Sequence, residues 1–316
     1  MGYGHMNRSF AVAVVILAAG AAGCTPAAPR ATEDVAARPL RVTTTVGMIT
    51  DAVREVGGAR VAVTGLMGPG IDPHLYKPTA SDVIALGDAD LILYGGLHLE
   101  GRMVDLFEHI ADGGTATVAV TGDIPPGSLR HPPAFEGAPD PHVWFDVALW
   151  QSAVRTIAAA LAARDPGSQA LYAANRDRYL AELASLDAWV VEQAATVSPA
   201  QRILITAHDA FGYFGGRYGF DVRGIQGIST AAEASASSIQ ALADLIAESR
   251  LKAVFVESSV PPATIEALKA AVASRGWRVA IGPPLFSDAL GEPGTPAGTY
   301  VGMVRHNVTA IVEALR

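Results

Sequence analysis

Midway along the chain, from Ser168 to about Ala195, the sequence runs through an amphipathic stretch with no Gly and no Pro. Asp165-Pro166-Gly167 supplies the start signal, and Leu171, Tyr172, Tyr179, Leu180, Leu183, Leu186 and Trp189-Val190 recur at helical spacing. At 1.5 Å per residue this helix spans about 40 Å, enough to cross from one lobe of a protein to another. On either side of it, short β-rich runs alternate with longer amphipathic ones. Strands are expected at Arg41–Val46, Val61–Leu66, Leu91–Tyr94 and Thr117–Val120, then at Arg202–Thr206, Asp221–Ile225, Ala253–Val256 and Arg278–Ile281. Helices are expected near Ile49–Val56, Ser81–Leu86, Arg102–Ala111 and Val147–Ala163, then near Phe211–Tyr218, Ser237–Ser249, Ala263–Ser274 and Tyr300–Leu315. Alternation of this kind implies an α/β fold of βα units with mainly parallel sheets. The expected organisation is a first lobe over 40–164, a connecting helix over 165–196 and a second lobe over 197–316, with the ligand cleft between the lobes.

The N-terminus reads as a targeting segment. Asn7-Arg8 gives a positive flank, Phe10 to Ala19 is almost wholly apolar, and Ala21-Ala22-Gly23-Cys24 follows. The apolar run is shorter than the roughly 20 residues a membrane span needs. Residues 1–23 are therefore expected to be a lipoprotein signal peptide, Cys24 a lipidation site, and residues 24–39, rich in Ala and Pro, a flexible tether. Cys24 is the only cysteine, so no internal disulfide holds the fold. With a net charge of −8 the chain lacks the basic face that nucleic acid requires, and half of its 316 residues are hydrophobic, enough for substantial cores.

Four segments each carry one residue able to bind a transition metal: Asp72-Pro73-His74, Asp140-Pro141-His142, Thr206-Ala207-His208-Asp209 and Phe286-Ser287-Asp288. Each is read as following an apolar, strand-like run. A single such segment means little among eight histidines, and Asp-Pro commonly opens a turn. Taken together, three imidazoles and one carboxylate make a complete, protein-only shell for Zn²⁺ or Mn²⁺. In open α/β sheets ligands bind beyond the C-terminal ends of the strands, which places two of these residues on each lobe facing the cleft.

Longer blocks surround these residues: Gly70-Ile71-Asp72-Pro73-His74-Leu75-Tyr76-Lys77-Pro78, Asp140-Pro141-His142-Val143-Trp144-Phe145-Asp146, Thr206-Ala207-His208-Asp209-Ala210-Phe211-Gly212-Tyr213-Phe214 and Leu285-Phe286-Ser287-Asp288-Ala289-Leu290-Gly291, followed by Gly298-Thr299-Tyr300 and His306-Asn307. From Arg41 to the end, the chain resembles the zinc/manganese-type solute-binding lipoproteins of bacterial ABC importers, the TroA-type group. The resemblance implies two βα lobes, a long connecting helix, and a metal held between the lobes by His74, His142, His208 and Asp288. It implies a monomeric, extracytoplasmic receptor, anchored to the membrane through a lipid, that hands its cargo to a membrane permease. His208 stands where some manganese-type relatives carry Glu, which favours zinc, whereas Asp288 is shared with manganese-type relatives. The long His-rich insertion of many zinc-type relatives is missing; His131 is the one histidine between Gly122 and Pro139. Zinc and manganese both stay open, with iron a third possibility.

Around this set, Glu257 is a candidate to orient a ligand imidazole through its free N–H. Asp146 is expected to cap a helix, His98 and His306 to be structural or surface residues, and Trp144 and Tyr213 to wall the cleft. The enzyme alternative is a zinc hydrolase with Asp209 or Glu257 as general base. Catalytic zinc normally keeps a position open for water, however, and Asp288 closes the shell here. A surface adhesin is the other alternative, without a separate site in the sequence to support it.

Overall fold

The computed structural model describes residues 1–4, 37–135 and 137–316. The apolar leader, Cys24 and most of the expected tether lie outside the described residues. No helix among the described residues is long and apolar enough to cross a membrane.

Strands β1 (Leu40–Thr44), β2 (Val61–Gly65), β3 (Leu91–Tyr94) and β4 (Ala116–Ala119) form a parallel sheet in the order β2-β1-β3-β4. Helices α1 (Gly47–Gly57), α2 (Ala80–Asp88) and α3 (Val104–Asp112) carry the chain back after successive strands, as parallel pairing demands. The central strands β1 and β3 are largely buried, β3 being also wholly apolar but for Tyr94, while the edge strand β2 is mostly open. The helix expected at Arg102–Ala111 begins two residues late. Gly96, Leu97 and His98 all take positive φ after β3, and the buried Glu100 holds this turn by accepting the Gly95 N–H at 2.7 Å and the Thr45 hydroxyl at 2.5 Å.

After α4 (Val147–Arg164) and α5 (Gln169–Ala195) come β5 (Ile203–His208), α6 (Gly212–Tyr218), β6 (Asp221–Gln226), α7 (Ala236–Ser249), β7 (Ala253–Val254), α8 (Ala263–Ala273), β8 (Ala280–Ile281) and α9 (Tyr300–Leu315). Here β5 pairs with β6 and β7 with β8, all parallel, and the Phe255 N–H donates to the Ile205 carbonyl at 2.9 Å to join the two ladders. The resulting order, β6-β5-β7-β8, repeats that of the first sheet. The last two strands are shorter than the sequence predicts. Beyond β7 the pairing shrinks to one parallel bridge between Glu257 and Leu285, which brings a charged side chain to the strand end.

Helix α5 is the long helix foreseen in the sequence. It buries Tyr172, Tyr179, Leu183, Leu186, Val190 and Ala194, one face at steps of three, four and seven residues. Leu171 is exposed, and Trp189 lies under the Arg305 guanidinium at 4.7 Å instead of entering the core. The principal core runs from Leu40 and Val42 of the first sheet through α5 and α9 to Leu204, Phe255 and Leu285 of the second, and a smaller core lies within the second sheet. The sequence pointed to one connecting helix, but α9 also ties the two sheets together. Its Tyr300 N–H donates to Asp51 of α1 at 2.8 Å, and the Tyr300 hydroxyl donates to the Trp144 carbonyl at 2.7 Å.

Candidate metal centre

His208 is the last residue of β5 and is paired with Gln226 of β6. The register is tight: a side chain at Gly224 would meet the Asp209 amide at 2.3 Å, so the neighbouring strand must carry glycine there. Asp288 sits on the loop after β8. That loop is pinned twice by Asn307 of α9, whose amide accepts the Phe286 N–H at 2.9 Å and donates to the Phe286 carbonyl at 2.7 Å. It is also tied to the first half of the chain, where the Trp144 indole donates to the Ser287 carbonyl at 3.0 Å.

His74 lies on the loop between β2 and α2, and Asp72 Oδ1 accepts its N–H at 2.9 Å. His142 does not directly follow a strand, contrary to the sequence reading. It precedes a short 3₁₀ turn, Val143–Phe145, in the connection between β4 and α4. Turn chemistry sets it in place: Asp140 Oδ1 accepts the His142 N–H at 3.0 Å and contacts its Nδ1 at 2.8 Å. Asp140 is itself held by its N–H to the Arg130 carbonyl at 2.9 Å and by the Tyr213 hydroxyl at 3.0 Å.

These four side chains converge, with one ligand atom from each lying within 4.8 Å of all the others. His74 Nε2 is 3.2 Å from His142 Nε2, and Asp288 is 3.3 Å from both His142 Nε2 and His208 Nε2. A tetrahedral ion with bonds of about 2.0–2.1 Å needs ligand atoms about 3.3 Å apart. Asp288 Oδ1 meets that spacing to His142 and Oδ2 meets it to His208, so with either oxygen as the donor two of the six edges already have the required length. His142 and His208 are fully buried, Asp288 is 1% exposed and His74 6%. Among the described residues, His208 Nε2 and Asp288 Oδ1 have no hydrogen-bond partner. Buried polar atoms of this kind are costly unless a cation satisfies them.

Behind the cage, Glu257 backs His208. Its Oε1 accepts the His208 N–H at 2.9 Å, and its Oε2 lies 2.5 Å from Nδ1, off the hydrogen-bond axis. Asp140 and Glu257 make the surroundings more anionic than the ligand set alone. Burial pulls His142 down, but Asp140 and Asp288 outweigh it and raise its pKa to about 9. Burial is likewise outweighed at His208, where Glu257 and Asp288 hold the imidazole well above its ordinary value. Asp288 is held well below the carboxylate range, because the two histidines overcome its burial. At His74 burial dominates, outweighing the charge of Asp288, and lowers it to about 3.

Each sequence-predicted ligand is in the cage, and Glu257 stands behind one of them. Asp146 accepts the Leu149 N–H at 2.9 Å and caps α4. Trp144 packs edge-on against His142, and His306 contacts the Pro284 carbonyl. Asp209 supplies no ligand atom; it is a partly buried carboxyl raised by burial. Sequence reasoning missed two residues, Asp140 and Asn307. The repeated Asp-Pro-His tripeptide carried the signal for Asp140.

Two parallel α/β sheets bridged by long helices, with a buried cage of three imidazoles and a carboxylate, define a two-lobed solute-binding receptor rather than an enzyme. The chain belongs to the family described as zinc-uptake complex component A, periplasmic, which matches residues 42–314. It is similar to the zinc-binding protein TroA of Treponema pallidum, 50% identical over 281 residues that cover 88% of this chain and 89% of TroA. It is also 42% identical over 313 residues to the manganese-binding lipoprotein MntA of Bacillus subtilis, covering 98% of this chain and all of that one. The solved structure of the periplasmic zinc-binding protein TroA superposes with a TM-score of 0.85 at 49% identity, covering 88% of this chain and 99% of the other.

Proposed function

We propose that this chain captures a divalent transition metal, Zn²⁺ or Mn²⁺, through His74, His142, His208 and Asp288, and delivers it to the membrane permease of an ABC importer. The observation that carries this reading is the convergence of three imidazole nitrogens and one carboxylate within 4.8 Å of one another in a buried site. The metal is cargo, and no bond is made or broken. Three nitrogen donors favour Zn²⁺, while the carboxylate and the anionic backing keep Mn²⁺ within reach. Membership of an uptake family and the likeness to TroA and MntA support the same reading. A lipid on Cys24 tethers a monomeric receptor outside the cytoplasm, with lobes at 40–164 and 197–316 and a connection at 165–196.

The test is competitive binding. The metal-stripped protein is titrated with Zn²⁺ and Mn²⁺ against each other, and the retained ion is measured by elemental analysis. One ion per chain is expected, with retention lost in His208→Ala and Asp288→Ala. If neither ion binds the wild-type protein, the reading is wrong. Mass spectrometry of the membrane fraction tests the anchor, and an unmodified Cys24 would reject it.

A further inference from the structure

The tripeptide Asp-Pro-His occurs twice at the centre, and the two copies use their carboxylates differently. In each, Oδ1 of the aspartate accepts the N–H of the histidine two residues on. At Asp140 the same oxygen also contacts Nδ1 of the ring, so His142 is aimed by its own tripeptide. At Asp72 the second oxygen faces the other way. Its Oδ2 accepts the hydroxyl of Thr230 at 2.5 Å, and Thr230 belongs to the connection between β6 and α7 on the opposite sheet. His74 is also the most exposed of the four ligands, at 6% against 0%, 0% and 1%. Of the four residues His74 alone keeps more than 1% of its surface exposed, so solvent comes nearest the cage on its side. Both segments that meet there, the β2–α2 and the β6–α7 connections, lack helix and strand at the point of contact.

We propose that Thr230 is a positioning residue for metal exchange: acting through Asp72, it holds His74 in the cage and sets the rate at which the metal leaves. The inference rests on His74 being a metal ligand, as proposed above. A departing ion must first be freed on its solvent side, where His74 sits. Among the described residues no carboxylate hydrogen-bonds the His74 ring, so its backbone is what keeps it in place, and that backbone is held by Asp72. The Thr230 hydroxyl fastens Asp72 to the opposite sheet. Without it the His74 loop detaches more often, and release speeds up while capture changes little.

The experiment is chelator-driven release of Zn²⁺ from the purified protein, run alongside thermal melting of the metal-free form. Hydrogen bonds to charged groups are strong enough that Thr230→Val is expected to release zinc about tenfold faster. Thr230→Ala should match it. Thr230→Ser, which restores the hydroxyl, should return the rate close to wild type, and the metal-free Thr230→Val and Thr230→Ala forms should melt only about 2–4 °C lower, the cost of one hydrogen bond. Wild-type release from Thr230→Val, or release from Thr230→Ser as fast as from Thr230→Val, overturns the proposal. A fall in the stopped-flow rate of zinc capture as large as the rise in release also overturns it, because the residue would then support the whole site and not the exit of the metal. A wild-type protein that holds no zinc would instead defeat the metal-receptor reading itself.

Discussion

If His142 and His208 are ligands, as proposed, their raised pKa values make metal affinity a steep function of pH. His142 has its pKa raised to about 9, and an ion can use its Nε2 only after the imidazolium proton has left. Each pH unit below 9 therefore weakens binding about tenfold through His142 alone, or about 1.4 kcal/mol. Between pH 9 and pH 7 that is about a hundredfold, and between pH 9 and pH 6 about a thousandfold. His208 is shifted in the same direction and adds a second displaced proton, whereas His74, lowered to about 3, contributes none. Ordinary imidazoles, as the sequence alone would have them, give a different curve, flat above pH 7 and falling only below about pH 6.

The assay is a competitive chelator titration with Zn²⁺ from pH 6 to pH 9. Calorimetry in buffers of different ionisation enthalpy then counts the protons released. Affinity that levels off above pH 7, with less than one proton released at pH 7.5, would refute the reasoning. Asp140→Asn should move the plateau to lower pH, since the carboxylate at 2.8 Å from Nδ1 is the main group opposing burial. The metal-free protein should respond with the opposite sign. A histidine raised in the folded state gives its full stabilisation below about pH 6.5 and loses it as pH rises to about 9, so the metal-free melting temperature should fall over that window.

Three further outcomes are expected. Glu257→Gln keeps an acceptor for the His208 N–H but removes the charge beside Nδ1. It should weaken zinc binding about ten- to a hundredfold at pH 8 and by less at pH 6, where the competing proton is also destabilised; equal losses at both values would argue against it. Asn307→Ala strands the Phe286 N–H and carbonyl in a buried site and should destabilise the protein by about 2–4 kcal/mol in urea melts, with loss of affinity through the displaced Asp288 loop. Small-angle scattering should show little compaction on metal binding, because α5 and α9 both resist hinge motion; a large decrease in radius of gyration would contradict this.

The strand and helix runs were readable because hydrophobic period and glycine placement are local properties. Leu91–Tyr94 forms where expected, and α5 has the predicted length to within one residue at its start. Misreadings arose where side chains from elsewhere took over. The α3 helix starts late because Glu100 holds a left-handed turn, and the strand near Ala253–Val256 pairs over two residues because its continuation turns toward the cage.

The sequence by itself supplied the four candidate donors. His74, His142, His208 and Asp288 are single residues in recognisable blocks, and their chemistry follows from their identity. Only the tertiary structure decided how they act. Which carboxylate backs which imidazole, how far burial is opposed, and which ligand faces solvent depend on residues far apart in the chain: Glu257 on His208, Asp288 on His142, Thr230 on Asp72. Electrostatic energy depends on distance and burial in space, and neither is written in the order of the residues.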